Sequence, residues 1–282
     1  MGQPGAFTSF FGPDPLNLLG VVILTSLGTW GLPQMIGKFY AIKDEKSINT
    51  GTVISTLFAI VISGGCYFLG GFGRLFDSAE IYNAETGAVV YDSIIPSMLS
   101  KLPDILIGIV VVLVLSASMS TLSSLVLTSS STMTLDLLKD NIMKEMSEKK
   151  QIITMQILIV FFIVVSVVIA LDPPTFIAQL MGISWGALAG AFLAPFLYGL
   201  YWKGVTRAGV WAGFIAGVGI TVSNMFIGYI ASPINAGAAA MVAGLVIVPL
   251  VSLVTPKLKK EDVDEIFTCY EEKVVSTKKR NL

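Results

Sequence analysis

The sequence contains no histidine, and charged residues are scarce. Its 282 residues include 18 Lys and Arg and 19 Asp and Glu, which gives a net charge of −1. Without imidazole there is no histidine zinc site, no Ser-His-Asp or Cys-His catalytic group and no histidine proton relay. A net charge this close to zero also provides no basic surface for nucleic acid. We therefore predict a protein that is not an enzyme and does not bind nucleic acid.

Only two cysteines are present, and they are far apart in the chain. Cys66 lies in an apolar segment and Cys269 near the end, so no CxxC motif and no disulfide between them is expected. Apolar residues, by contrast, make up 54% of the chain and charged residues only 13%. The mean hydropathy is +0.79. This composition predicts an all-α polytopic membrane protein.

Seven windows are apolar over about the 20 residues that a membrane-crossing helix needs. The third is too long for a bilayer, since at 1.5 Å per residue it would extend roughly 48 Å, and we expect it to tilt or project from the membrane. The windows are residues Leu16–Gly37, Val53–Gly73, Asp104–Leu135, Ile152–Leu171, Phe176–Tyr201, Ala208–Ile230 and Ala238–Thr255.

Basic residues indicate the orientation of these spans. With seven spans, 16 of the 18 Lys and Arg residues fall on one side, in loops 38–52, 136–151 and 202–207 and in the tail 256–282. The positive-inside rule then predicts a cytoplasmic C-terminus and an N-terminus outside a plasma membrane. The expected division is an extracellular segment 1–15, five core spans in 16–201, two accessory spans in 202–255 and a cytoplasmic tail 256–282.

Glycines repeat every fourth residue in two of the windows. Gly182, Gly186 and Gly190 share one helix face, and a second triplet runs from Gly209 to Gly217. Such faces let helix backbones approach closely in lipid. We interpret them as helix-packing seams and not as a nucleotide loop, because no strand–turn–helix context surrounds them.

The third window carries a row of hydroxyl-bearing residues and almost no ionisable ones. Twelve Ser or Thr residues occur between positions 116 and 134. Six positions recur at helical spacing, and we call them the oxygen row: Ala117, Ser120, Thr121, Ser124, Thr128 and Ser131. Neutral oxygens of this kind suit a small monovalent cation, whereas a proton-driven transporter generally needs a titratable group within the membrane. The alternative is polar contact between helices.

The first window contains a predicted helix break. Gly28, Gly31 and Pro33 lie within six residues, and Pro33 cannot donate to the carbonyl four residues earlier. Broken helices at membrane depth are tolerated where they face protein or a water-filled cavity, and in transporters they mark substrate sites. A simple kink packed against a neighbouring helix is the alternative.

Three segments in order resemble one known family. They are Gly28–Met35 with the following Phe39–Asp44, Ser118–Ser124 with Asp136-Leu137 downstream, and Trp185–Ala187 with Pro195 and Tyr201–Gly209. Together they resemble the sodium:solute symporters, a family that includes proline, pantothenate and galactose transporters. The resemblance implies the C-terminal half of a typical member. This half is the second inverted repeat of a leucine-transporter-like fold followed by two accessory helices.

The resemblance also implies sites and partners. Sodium, as the coupling ion, would be bound by Ala117, Ser120 and Thr121, with Ser116 and Ser124 as secondary candidates, and no organic cofactor is expected. Substrate contacts would come from Thr25, Thr29, Trp30, Pro33 and Gln34. Since proline symporters carry aromatic residues at the positions of Thr25 and Thr29, proline is a less favoured solute. The solute would be a small amino acid, vitamin, sugar or carboxylate.

The family's sodium site also uses the first repeat, so a further polypeptide is the expected source of that half. The function implied is sodium-coupled symport by alternating access, from a chain that lacks the first repeat. Two alternatives stay open, a truncated and inactive fragment and a membrane sensor or scaffold that binds solute without transport.

Overall fold

The computed structural model describes residues 11–39, 42–76 and 78–270 of the chain. Most of segment 1–15, which is predicted to be extracellular, and the end of the tail, with Lys273, Lys278, Lys279 and Arg280, lie outside the described residues. Ten α-helices are present in the described part. They are α1 (Pro15–Gly31), α2 (Pro33–Ile36), α3 (Glu45–Phe72), α4 (Ile94–Leu99), α5 (Asp104–Thr132), α6 (Glu148–Leu171), α7 (Ile177–Tyr201), α8 (Arg207–Ile227), α9 (Pro233–Val254) and α10 (Lys260–Phe267).

Six of the helices in the described part are long and apolar enough to cross a membrane, and the shorter α1 is apolar as well. This confirms an all-α, multi-pass membrane protein. The largest differences from the predicted windows are at the start of α3 and the end of α5. Helix α3 begins at Glu45 because the Asp44 carboxylate accepts a 2.7 Å hydrogen bond from the Ser47 amide and caps the helix. Helix α5 continues as a π-helix over Met133–Ile142.

The continuous helix from Asp104 to Ile142 is longer than the third predicted window. Its 39 residues would reach roughly 58 Å as a regular α-helix, well beyond a hydrocarbon core of about 30 Å. The π-helical part contains Asp136, Lys139 and Asp140. These charges favour a position outside the hydrocarbon for this end of the helix.

The chain divides into two compact units. Unit 1 comprises Met1–Tyr40 and Ala178–Leu282, and unit 2 comprises Ala41–Ile177. In unit 1, α1 and α8 each pack against α9. Leu24, Leu193 and Met241 are at most 2% exposed and form the centre of its core. In unit 2, α5 packs against α6, while every residue of α3 from 46 to 72 is exposed.

The glycine faces of unit 1 are helix-packing seams, as predicted. A Cβ atom on Gly186 would lie 2.5 Å from the Cα atom of Gly237, and a Cβ on Gly190 would lie 3.0 Å from the Cβ of Ala240. On α8, a Cβ on Gly209 would lie 2.8 Å from the Val248 carbonyl oxygen. Helices α7, α8 and α9 therefore touch through their backbones, which is how close packing is achieved in lipid.

Thr206 organises the turn between α7 and α8. Its hydroxyl caps α8 by accepting a 3.1 Å hydrogen bond from the Gly209 amide, and it lies 2.7 Å from the Thr255 hydroxyl. The Thr206 amide donates to the Ser252 hydroxyl at 3.2 Å. The spacing of Thr206 and Gly209 in the sequence is thus explained by a helix cap and by the close approach of α9.

The C-terminal tail docks on the same turn. The Lys203 ammonium donates to the Asp264 carboxylate at 2.7 Å and lies 5.4 Å from the centre of the Phe267 ring. The Tyr270 hydroxyl donates to the Leu200 carbonyl at 2.9 Å. These contacts attach α10 and the following residues to the end of α7.

Acidification is expected to release this docked tail. The hydrogen bond from Lys203 lowers the pKa of the Asp264 carboxyl below its ordinary value, against a smaller opposing effect of burial. A group whose pKa is lowered by folding stabilises the folded arrangement above its unfolded pKa, and this contribution is lost as the pH falls through the folded pKa. We therefore expect the mobility of a spin label on Cys269, in a Cys66→Ser background, to rise below about pH 4. Asp264→Asn should remove this pH dependence and Asp262→Asn should retain it. The same pH profile in all three chains would contradict the assignment.

Candidate functional site

Five of the six residues of the oxygen row are exposed on α5 in unit 2, and Ser131 is half-buried. The side chains of the row bond back to the helix in sequence. The Thr121 hydroxyl donates to the Ala117 carbonyl at 3.2 Å, and the Ser124 hydroxyl donates to the Thr121 carbonyl at 3.0 Å. The same pattern continues through Thr128 and Ser131 at 2.8 and 3.0 Å. A continuous line of paired oxygens therefore follows the helix.

Back-bonding leaves these oxygens able to bind a cation. A hydroxyl has one hydrogen to donate and two lone pairs, and a carbonyl oxygen has two lone pairs. In Thr121 the hydrogen is directed at Ala117, so the lone pairs of the hydroxyl oxygen remain available. The Ser120 hydroxyl makes no hydrogen bond within the described part of the chain. The hydroxyls can thus offer neutral oxygens without breaking the helix, whereas the Ala117 carbonyl must give up the hydrogen bond from the Thr121 hydroxyl to bind a cation.

The sequence placed Ala117, Ser120 and Thr121 together, and the structure places them within two turns of one regular helix, flanked by Ser116 and Ser124. All five residues are exposed. Oxygens on a single helix face approach a cation from one side only. A complete coordination shell therefore needs oxygens from outside α5.

Two further hydroxyls on α5 and its π-helical extension were not given a role from the sequence. Ser130 and Thr134 are both fully buried, and neither hydroxyl has a hydrogen-bond partner. They lie four residues apart, at the point where the α-helix becomes a π-helix. At 100° per residue, Ser130 and Thr134 lie on a different side of the helix from Ser118 and Ser129, which are exposed. The burial of Ser130 and Thr134 depends on packing, and no local sequence pattern indicates which hydroxyls are buried.

The helix break predicted in the first window is present in unit 1. Helix α1 ends at Gly31, Leu32 is extended with φ −85° and ψ 118°, and α2 begins at Pro33. Pro33 lacks the N–H group that would donate to the Thr29 carbonyl. The Leu32 carbonyl instead accepts a 2.9 Å hydrogen bond from the Met35 amide, which starts the short second helix.

Glycines fix the broken helix against α7. A Cβ on Gly28 would lie 3.0 Å from the Trp185 ring, and a Cβ on Gly31 would lie 2.7 Å from the Cα of Ala189. At the other end of α1, the Ser232 hydroxyl donates to the Asn17 amide oxygen at 3.0 Å. Both ends of α1 are thus held, so the position of the break is defined by packing as well as by Pro33.

The five predicted substrate residues lie on both sides of this break along the chain, with Thr25 seven residues before Leu32. Thr25 and Thr29 are half-buried and bond back to the Val21 and Ser26 carbonyls at 2.8 and 3.3 Å. Trp30 is 60% exposed. Pro33 is exposed, and Gln34 is half-buried with no hydrogen bond from its amide among the described residues. An indole ring and a free carboxamide at a helix break can contact an organic solute by stacking and by hydrogen bonding.

Neither the oxygen row nor the helix break contains a cluster of metal-binding side chains in the part of the chain that the structure describes. Among the described residues, no three His, Cys, Asp or Glu side chains come together to hold a metal. A surface cavity of about 500 Å³ lies in unit 2 beside Asn141, Met143, Lys144 and Lys150. It includes neither the oxygen row nor the helix break.

The comparisons with known proteins decide the family. The sequence profile of the sodium:solute symporter family matches residues 7–217. The chain belongs to the sodium:solute symporter family. Membership confirms the resemblance found in the three segments, and the family is one of symporters and not of enzymes.

Individual relatives agree with the family match. The chain is 32% identical over 199 residues to the sodium/pantothenate symporter of Haemophilus influenzae, which covers 70% of the chain and 40% of that symporter. It is 28% identical over 258 residues to a sodium/proline symporter of Staphylococcus aureus, which covers 87% of the chain and 49% of that symporter. The chain thus spans about half the length of the curated relatives it matches. No solved structure matches it.

Proposed function

We propose that this chain takes part in sodium-coupled symport of a small organic solute by alternating access. The observation that carries the proposal is the exposed oxygen row on α5 in a chain of the sodium:solute symporter family. Sodium is bound by the Ala117 carbonyl and the Ser120 and Thr121 hydroxyls. Ser116 and Ser124 are secondary ligands. The remaining oxygens come from water in the chain alone, and from the half of the symporter that the chain does not span in the whole transporter.

The solute binds at the break between α1 and α2. Trp30 supplies a flat apolar surface, Gln34 supplies hydrogen bonds, and Thr25, Thr29 and Pro33 line the adjoining backbone. The relatives named above carry pantothenate and proline. Threonine hydroxyls suit a polar solute such as pantothenate better than the apolar ring of proline.

Coupling arises because both ligands stabilise the same conformer. Coupling free energies of this kind are typically about 1–3 kcal/mol, or roughly 5- to 150-fold in affinity. Sodium release into the cytoplasm, where the C-terminus lies, then lowers solute affinity and allows the other conformer to form. The chain spans the plasma membrane with its N-terminus outside.

Solute binding tests this assignment. We expect sodium to raise the affinity of the purified chain for radiolabelled pantothenate by at least about fivefold relative to choline. Trp30→Ala should remove most of this binding. Trp211→Ala is the matched control, because Trp211 is 63% exposed but lies on α8, away from the break.

Uptake into proteoliposomes separates the remaining alternatives. Uptake driven by a sodium gradient is the result expected of a symporter. Binding without uptake would indicate a sensor, and neither binding nor uptake would indicate an inactive fragment. Equal losses in Trp30→Ala and Trp211→Ala would contradict the placement of the solute at the break.

A further inference from the structure

The surface cavity of unit 2, about 500 Å³ in volume, lies at the turn that connects the π-helical end of α5 to α6. Its wall consists of residues 141–146 and Lys150. The Asn141 side-chain amide donates to the Asp136 carbonyl at 2.7 Å, and the Gln151 side-chain amide donates to the Met146 carbonyl at the same distance. Hydrogen bonds within the turn therefore hold both ends of the wall.

Basic groups predominate in this wall. Lys144 and Lys150 are exposed, and the side chain of neither makes an ion pair or a hydrogen bond with any residue that the structure describes. Among the residues of the wall, Glu145 alone carries a carboxylate, and the neighbouring Glu148 lies outside it. The first turn of α6 adds partial positive charge, because the Ser147 side chain does not cap its amides. The wall therefore favours an anion.

The remainder of the wall is largely apolar. Ile142 and Met143 are 63% and 53% exposed, and Met146 is half-buried. Methionine side chains are flexible and adapt to apolar partners of irregular shape. A small inorganic anion would contact the ammonium groups only and would leave these apolar side chains in water. The combination of two ammonium groups with an apolar surface suits an amphiphile that has a negatively charged head.

The position of the cavity along the spans agrees with such a ligand. The π-helical end of α5 carries Asp136, Lys139 and Asp140, and these charges favour a position outside the hydrocarbon. Helix α6 carries no charged residue after Lys150 and is long enough to cross a membrane. The cavity is thus expected at the level where phospholipid headgroups lie. Basic pockets at such a level are known to bind anionic headgroups.

We propose that this cavity binds the headgroup of an anionic phospholipid. The phosphodiester lies between the ammonium groups of Lys144 and Lys150, and the first part of the acyl chains contacts Ile142 and Met143. The site includes neither the oxygen row nor the helix break, so the proposal does not rest on the proposed transport function. A free phosphate ion is the competing ligand, because it shares the chemistry of the headgroup.

Native mass spectrometry of the purified full chain in detergent tests the proposal. Phosphatidylglycerol, which is anionic, and phosphatidylcholine, which is zwitterionic, are titrated with the same acyl chains, and the Kd of the first bound lipid is measured. We expect phosphatidylglycerol to bind at least about tenfold more tightly. The double substitution Lys144→Gln and Lys150→Gln should weaken phosphatidylglycerol binding by about tenfold or more and should change phosphatidylcholine binding by less than about twofold.

A matched pair of lysines controls for the loss of charge. Lys139→Gln with Lys149→Gln removes two positive charges from the same segment but outside the wall, and should change the Kd of phosphatidylglycerol by less than about twofold. Equal weakening by the two pairs would contradict a site in the cavity. Equal affinity of the unmodified chain for both lipids would overturn the proposal. Inorganic phosphate at millimolar concentration should leave phosphatidylglycerol bound, and displacement by phosphate would assign the cavity to the free ion instead.

Discussion

Replacing Thr121 with alanine is expected to raise the sodium concentration that half-saturates the chain by at least tenfold. The substitution removes one proposed ligand oxygen and also the hydroxyl that bonds to the Ala117 carbonyl at 3.2 Å, so two of the three proposed oxygens are affected. Hydrogen bonds and ligand contacts to charged groups contribute about 1.5–3 kcal/mol each, and 1.4 kcal/mol corresponds to a factor of ten. Ser120→Ala should weaken sodium binding by a similar factor. The half-saturating concentration is obtained by titrating the protection of the folded chain against thermal unfolding.

Two hydroxyls on the same helix are the controls for this prediction. Ser118 is exposed and lies roughly 110° around α5 from the centre of the oxygen row, and Ser130 is fully buried. Ser118→Ala and Ser130→Ala should change the half-saturating sodium concentration by less than about twofold. Ser130→Ala should also leave the stability unchanged or raise it, because the substitution removes a buried hydroxyl without a partner. Equal losses of sodium affinity at positions 118, 120, 121 and 130 would mean that the oxygen row has no special role.

Gly217→Ala is expected to destabilise unit 1 far more than Gly219→Ala, although the two residues lie two positions apart on α8. A Cβ on Gly217 would overlap the backbone of Gly190 on α7, whereas a Cβ on Gly219 would meet nothing within 4 Å. Overpacking of this kind costs about 1–3 kcal/mol. At position 219 alanine should be neutral or stabilise the helix by up to about 1 kcal/mol.

The comparison is made by thermal unfolding of the two variants in the same detergent. Because Gly219 is a glycine on the same helix, it controls for the loss of backbone freedom and for helix propensity. Equal midpoints in the two variants would show that α7 and α8 do not approach through this glycine seam.

Local chemistry explains which features the sequence could predict. The break at Leu32 follows from Pro33 and two glycines within six residues, and each acts through its own backbone. The glycine seams follow from a four-residue repeat that needs no knowledge of the partner helix. The earlier start of α3 had a signal as well, since Asp44 precedes the Ser47 amide that it caps by three residues.

Features that depend on distant contacts were not predictable from the sequence. Lys203 and Asp264 are 61 residues apart, and no periodic pattern connects them. The burial of Ser130 and Thr134, among twelve similar hydroxyl residues, depends on how α5 packs. The π-helix at 133–142 is more polar than the α-helix before it, but polarity alone does not distinguish a π-helical from an α-helical backbone. For the candidate site, the row of oxygens was predictable from helical spacing, and the structure adds that all of it except the half-buried Ser131 is exposed and that four of its hydroxyls bond back to the helix.

The most direct test of sodium binding by the oxygen row is the unfolding temperature of the purified chain in sodium chloride and in choline chloride at equal ionic strength. A ligand that binds only the folded state raises its stability by about 2.7 kcal/mol at a concentration one hundred times its Kd. We predict a rise in sodium chloride that choline chloride does not produce and that Thr121→Ala removes. Identical unfolding temperatures in the two salts would contradict sodium binding by this chain alone, and a rise that survives in Thr121→Ala would place the sodium elsewhere.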